Sequence, residues 1–138
     1  IEMGTVSIEN DASNLGDLVR ESAGFPLEMV VYGRPPLFTS RAPTPIPKTR
    51  GQLDVQGRDE DFMVETHERL TIVRPKQAVA LMGTLKPHQI NKISVMRLEL
   101  SGNELNREEY DRLRSAASKW SPLKQTKAFN YHPRSELK

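Results

Sequence analysis

The sequence predicts a mixed α/β protein in which a strand–helix–strand unit precedes a smaller α+β region. Two apolar β-type segments, residues 3–9 and 26–32, are separated by a segment with helical spacing. A strand, a helix and a second strand within about 30 residues are typical of a βαβ unit. Further along, an alternating hairpin pattern and an amphipathic helix predict the α+β region.

The composition limits the class of protein. The 138 residues are 36% hydrophobic and 28% charged, with a net charge of +2 and no cysteine. Disulfides and thiolate metal sites are therefore excluded within these residues. No apolar run approaches the ~20 residues that a membrane helix needs, and no leader pattern is visible. We expect a cytoplasmic protein with no membrane contact, and the early first strand leads us to expect a segment of a longer protein.

The βαβ unit is predicted element by element. Residues 3–9 alternate as a short strand, and the NDASN stretch that follows supplies helix-capping side chains. A helix is predicted from Asn14 to Ala23, with Gly24 ending it. Residues 26–32 form a nearly continuous apolar run, which suits a strand covered on both faces. We expect one core, with parallel strands, made by Val6, Ile8, Leu18, Val19, Met29 and Val31.

A proline-rich, basic connector is predicted at residues 42–58. Residues 34–58 carry five basic side chains against one acidic one, Asp54. One interpretation is a solvated loop. The other is a surface for an anionic substrate or RNA.

The remaining elements follow from periodicity. Residues 61–75 predict a hairpin, 78–85 a short helix with a buried strand as the alternative, and 93–100 an alternating strand. The clearest helix covers 106–120, with an inner face marked by Tyr110, Leu113 and Ala117. The predicted division is 1–41 for the βαβ segment, 42–58 for the connector and 59–138 for the α+β region.

Charged side chains are predicted to meet where the two first strands end. Glu9 follows the first strand and Arg34 follows the second, and the carboxyl ends of parallel strands face the ligand crevice. Pro35 keeps Arg34 out of helical geometry, so we expect Arg34 to reach Glu9 or Asp11. Such a pair would position a substrate carboxylate or carbonyl, or hold the loops together. The three histidines lack metal-ligand spacing, and no metal is expected.

Two stretches carry a resemblance to a known family. "GTVSIENDASNL" and, about 20 residues later, "LEMVVYGRPPLFTSR" resemble the collagenase-like peptidases, the U-thirty-two family. "LTIVRP", "ISVMRLELSG" and the closing "FNYHPRSEL" are similar to the tail of that family. The resemblance spans nearly the whole chain, and the Gly33-Arg34-x-Pro-Leu motif is its most specific part.

The resemblance implies a fold and an activity. The chain would be the terminal βαβ unit of a (β/α) barrel followed by a small α+β tail, and the full-length parent would hydrolyse peptide bonds in a peptide or protein. Glu9 would orient the substrate or a water, and Asn10, Arg34 and Arg41 would bind the substrate. Two strands cannot close a barrel, so the segment alone is expected to be inactive and to form a homo-oligomer that covers its open strand edges.

Two further expectations concern cofactors and partners. Many members of the family that this chain resembles have cysteines after the "SR" pair, and some of these bind an iron–sulfur cluster. Ala42 and Pro43 follow here, so no cluster and no other cofactor is expected. The alternative function is a non-catalytic RNA- or protein-binding module, or a relative involved in RNA modification. A binding module would need Arg34, Arg41, Lys48, Arg50 and Arg58 on one exposed face.

Overall fold

The structure is a computed structural model that describes residues 2–6, 10–42, 52–100 and 105–128. The chain divides into two compact units. The first, Ile1–Gly33 with Val79–Lys138, is called the parallel-sheet unit. The second, Arg34–Ala78, is called the antiparallel-sheet unit and is inserted in the chain between the two parts of the first. The fold class is therefore mixed α/β, with one sheet that is mainly parallel and one that is antiparallel.

The predicted βαβ unit is present. Strand β1 covers Gly4–Val6, helix α1 covers Ala12–Glu21 and strand β2 covers Leu27–Gly33. β1 and β2 are parallel, with Gly4 opposite Leu27 and Val6 opposite Met29, as the sequence predicted. The helix begins two residues before the predicted start because the side chain of Asp11 accepts from the Asn14 N–H and caps it.

β2 is the central strand of the parallel-sheet unit. β8, Val95–Leu98, runs parallel to it, and the two-residue β7, Val79–Ala80, pairs with its end in antiparallel orientation. Glu28 and Met29 pair with both β1 and β8, so β1 and β8 must lie on opposite edges of β2. Among the described residues, no strand pairs with the outer edge of β1 or β8. Three parallel strands thus follow one another in space in the order in which they occur in the chain.

The core of the parallel-sheet unit combines one face of β2 with helical side chains. Val6, Met29 and Val31 are buried, as predicted, and Leu15 of α1 is fully buried with them. The predicted Leu18 and Val19 are only half-buried, and Ile8 lies outside the described residues. Two further helices, α2 at Pro87–Ile90 and α3 at Arg107–Lys119, contribute Ile90, Leu113 and Ala116.

The antiparallel-sheet unit contains four strands in the order β3-β6-β5-β4. They are β3 at Phe38–Ser40, β4 at Gln52–Gln56, β5 at Asp61–His67 and β6 at Leu70–Pro75. β5 and β6 form the hairpin that the alternating pattern predicted, with Phe62 opposite Pro75 and His67 opposite Leu70.

Three sequence-based expectations differ from the structure. Residues 52–56 of the predicted connector form β4, because Leu53 and Val55 alternate and pair with β5; residues 43–51 lie outside the described residues. The helix predicted at 78–85 is absent. The short strand β7 and a turn stand there instead, in agreement with the alternative prediction of a buried strand. The run Ala78–Met82 is entirely buried, so it has no polar face of the kind that a helix at the surface would show. Tyr110 is exposed on α3, where Ala116 is buried instead.

No helix in the described part of the chain combines the length and the apolar character needed to cross a membrane.

Candidate functional site

A row of polar side chains crosses the three parallel strands. The Thr5 hydroxyl on β1 donates to Oε2 of Glu28 on β2 at 3.1 Å. The other carboxylate oxygen of Glu28 lies 3.6 Å from Nη1 of Arg97 on β8. Arg97 Nε lies 3.9 Å from a carboxylate oxygen of Glu99, just after β8. These four residues, Thr5, Glu28, Arg97 and Glu99, are called the polar row.

Strand register explains why these side chains share a face. Thr5 pairs with Glu28, and Val30 pairs with Arg97, and paired residues project from the same side of a sheet. Leu27, Met29 and Val31 are at most 4% exposed, so β2 turns its alternate residues into the core. Glu28 and Val30, which are half-buried, point to the opposite face together with Arg97.

The polar row combines a sheltered carboxylate with an accessible guanidinium. The side chain of Glu28 is 19% exposed, whereas that of Arg97 is 51% exposed. The two Arg97 contacts are longer than the 2.7–3.2 Å typical of direct N–H···O hydrogen bonds. They therefore hold the guanidinium between two carboxylates without using the full set of its five N–H donors.

The row reaches the carboxyl end of β2 through Glu99. The Glu99 N–H donates to the Tyr32 carbonyl at 2.9 Å. A Cβ on Gly33 would lie 3.1 Å from both the Cβ and the carbonyl oxygen of Glu99. Gly33 is thus required by the close approach of the Glu99 backbone, which gives the glycine of the "GRPPL" motif a structural role.

The structure describes only some of the residues that were predicted to form a site at the end of β1. Glu9 lies outside the described residues, so its predicted role stays a prediction. Asn10 is half-buried and precedes α1. Asp11 serves as the helix cap, with its carboxylate accepting the Asn14 N–H at 2.8 Å.

The side-chain and carbonyl hydrogen bonds that the structure describes for Arg34 join it to other residues of the antiparallel-sheet unit. Its Nε donates to the Lys76 carbonyl at 3.0 Å, and its own carbonyl accepts from Nη1 of Arg74 at 2.6 Å. Arg74 in turn donates to the Glu65 carboxylate at 2.6 Å. The predicted pairing of Arg34 with Glu9 stays a prediction. The hydrogen bonds of Arg34 with Lys76 and Arg74 connect the beginning of the antiparallel-sheet unit to its end, and we call this connection a clamp.

The basic residues of 34–58 are only partly described. Arg41 and Arg58 are exposed and Arg34 is half-buried, while Lys48 and Arg50 lie outside the described residues. Whether the five share one face therefore stays a prediction.

Among the residues that the structure describes, two lysines have pKa values displaced from the ordinary value. A hydrogen bond to the Asp54 carboxylate, at 2.9 Å, and the attraction of its charge raise the pKa of Lys76. Burial lowers the pKa of Lys127. Within the ranges that the structure describes, no group of three or more histidine, aspartate or glutamate side chains is placed to hold a metal ion.

Sequence reasoning did not assign the polar row as a site, although a signal was present. Glu28 interrupts an otherwise apolar strand, and Arg97 and Glu99 alternate with apolar residues in "VMRLEL". Charged side chains in the strands of a parallel sheet are costly unless paired. Their convergence depends on β8 pairing with β2 across more than 60 intervening residues, which the local pattern does not reveal.

Comparisons with protein-family models, curated proteins and solved structures yield no match to this chain.

Proposed function

We propose that this chain is the carboxyl-terminal region of a collagenase-like peptidase of the U-thirty-two type, and that the full-length parent hydrolyses peptide bonds. The observation that carries the proposal is the order β1-β2-β8. Parallel strands that lie side by side in one sheet are the arrangement of a (β/α) barrel; β1 and β2 are also consecutive strands of the chain, whereas the antiparallel-sheet unit and β7 come between β2 and β8. The family-like "GRPPL" stretch begins at the last residue of β2, the end at which barrel enzymes carry their sites.

The proposal assigns roles to the residues named from the sequence. Glu9 orients the substrate or the attacking water, and Asn10, Arg34 and Arg41 contribute to substrate binding. Amide hydrolysis needs a group that activates water and donors that stabilise the oxyanion, and carboxylate and guanidinium side chains provide both. The reaction requires no cofactor in this scheme.

The alternative is a non-catalytic RNA- or protein-binding module. It is favoured by the excess of basic residues in 34–58 and by the exposure of Arg41 and Arg58. Binding of RNA through such residues would weaken steeply with salt because counterions are released from the phosphates.

The test uses the full-length parent protein with fluorescein-labelled gelatin and casein as substrates. We expect hydrolysis by the wild type and its loss in Glu9→Gln, with wild-type activity in the matched control Glu21→Gln, an exposed residue at the end of α1. A folded parent that cleaves neither substrate would contradict the proposal. Salt-sensitive binding of a single-stranded RNA, lost in an Arg41→Ala/Arg58→Ala variant, would then establish the alternative.

A further inference from the structure

We propose that the polar row is a substrate-binding surface. In it, Arg97 donates hydrogen bonds to the carbonyl oxygen of a peptide amide of the substrate, and the flanking carboxylates accept a hydrogen bond from the N–H of that amide. The identification of the ligand as a peptide rests on the proposed peptidase function. The site itself rests on the geometry of Thr5, Glu28, Arg97 and Glu99.

The cost of placing these groups in a sheet argues for a role beyond stability. The Glu28 carboxylate is largely removed from water, with a side chain 19% exposed, and sheltering a charge is expensive even when it is paired. Its partner Arg97 is half-exposed, and ion pairs of exposed side chains contribute only about 0–1 kcal/mol. Apolar β-branched residues at both positions would satisfy the sheet equally well.

The distribution of charge selects the kind of ligand. Two carboxylates flank one guanidinium, so a phosphate or a carboxylate ligand would meet net repulsion. A simple cation would have to compete with Arg97 for the two carboxylates, which already flank its guanidinium. A neutral group that presents an acceptor and a donor side by side matches the alternating donors and acceptors, and the peptide amide is such a group.

The position of Arg97 gives it a defined task. Glu28 and Glu99 hold the guanidinium from two sides at 3.6 and 3.9 Å, which fixes its direction and leaves N–H donors for a ligand. A donor aimed at a carbonyl oxygen also stabilises the negative charge that develops there when the carbonyl is attacked. A lysine at this position would keep the charge but lose the planar fork.

The experiment measures binding and hydrolysis separately in the full-length parent. The probe is the blocked tripeptide acetyl-Gly-Pro-Ala-amide, titrated while the Nε–H resonance of Arg97 is followed by NMR and assigned by its loss in Arg97→Lys. We expect that resonance to shift and saturate. The dissociation constant, measured for every variant by isothermal titration calorimetry, should rise about tenfold or more in Arg97→Lys and Glu28→Gln, because hydrogen bonds to a charged group are lost.

The matched controls are Arg107→Lys and Glu108→Gln on α3, whose side chains are 88% and 84% exposed. Both should bind the tripeptide as the wild type does, and all four variants should keep the wild-type melting temperature within a few degrees. If the polar row had only a structural role, the Arg97→Lys and Glu28→Gln substitutions would lower the melting temperature, and the peptide would not shift the Arg97 resonance.

The outcomes separate this inference from the proposed function. Gelatin hydrolysis with an unmoved Arg97 resonance, or with unchanged KM in Arg97→Lys, would overturn the inference and leave the peptidase proposal standing. Tripeptide binding at Arg97 without hydrolysis would support the site and contradict the peptidase activity. A shift of the resonance by an RNA oligonucleotide, and not by the tripeptide, would overturn the inference.

Discussion

Arg34 and Lys76 are joined by a hydrogen bond from the guanidinium Nε of the first to the backbone carbonyl of the second, 3.0 Å long. The two residues lie near the beginning and the end of the antiparallel-sheet unit. The Arg34 carbonyl also accepts from Nη1 of Arg74. The arginine that the sequence assigned to a site is thus part of a clamp that closes this unit.

We expect Arg34→Lys to lower the free energy of unfolding by about 0.5–1.5 kcal/mol, since a hydrogen bond to a backbone carbonyl is lost. The measurement is urea unfolding of the chain. The control is Arg69→Lys in the exposed hairpin turn, which should stay within about 0.5 kcal/mol of the wild type. Equal stability of the two variants, with activity of the parent lost only in Arg34→Lys, would show that Arg34 acts on substrate and not as a clamp.

A second prediction contrasts two glycines. Gly83 has φ +79°, and an added Cβ would lie 2.7 Å from Cδ and 2.8 Å from N of Pro122. Gly83→Ala should therefore destabilise the chain by about 1–3 kcal/mol. Gly16 lies within α1, and a Cβ added there would meet no atom within 4 Å, so Gly16→Ala should stabilise the chain by about 0.5–1 kcal/mol. Thermal unfolding of both variants checks the pair, and shifts in the same direction would contradict it.

The ion pair of Lys76 and Asp54 predicts a pH dependence. Because the folded-state pKa of Lys76 is raised above 10.5, its stabilising contribution is complete below that pH and is lost as the pH rises through the folded-state pKa. The difference in free energy of unfolding between wild type and Asp54→Asn should not change with pH around neutrality and should shrink above pH 10.5. Asp59→Asn, at an exposed residue, should show no such change. A difference that persists unchanged into the alkaline range would refute the assignment.

The isolated chain should self-associate. β8 pairs with β2 on one edge, and its residues Val95 and Met96 are 40% and 36% exposed. Open strand edges and exposed apolar side chains favour pairing with a second copy. We expect a dimer by light scattering, shifted to monomer by Met96→Lys but not by Tyr110→Lys, an exposed apolar residue on α3. A monomer at high concentration would count against an origin in a larger sheet.

Local patterns predicted the elements whose side chains alternate or repeat regularly. The parallel β1–β2 pair, the hairpin of β5 and β6, the strand β8 and the helix α3 all follow from periodicity. The run 78–85 did not, because its first five residues, Ala78–Met82, are all buried and offer no polar face by which a helix and a strand can be told apart.

The candidate site was less accessible to sequence reasoning than the fold. Asp11, a predicted partner of Arg34, caps α1 through one carboxylate oxygen, and its pairing with Arg34 stays a prediction. Arg97 was placed on the correct strand, yet its proximity to Glu28 depends on the long-range pairing of β8 with β2. Residues that converge only through such pairing carry no local signature of their shared role.

The most direct test of the proposal that this chain is the end of a (β/α) barrel is a crystal structure of the full-length parent, which would show every strand that pairs with β8. We expect a further strand of the same polypeptide, running parallel to β8, to be hydrogen-bonded to the edge of β8 that faces away from β2. That strand would continue the order β1-β2-β8 around a barrel. A solvent-exposed β8 edge, or one paired with an antiparallel strand, would contradict the assignment of this chain to the end of a (β/α) barrel.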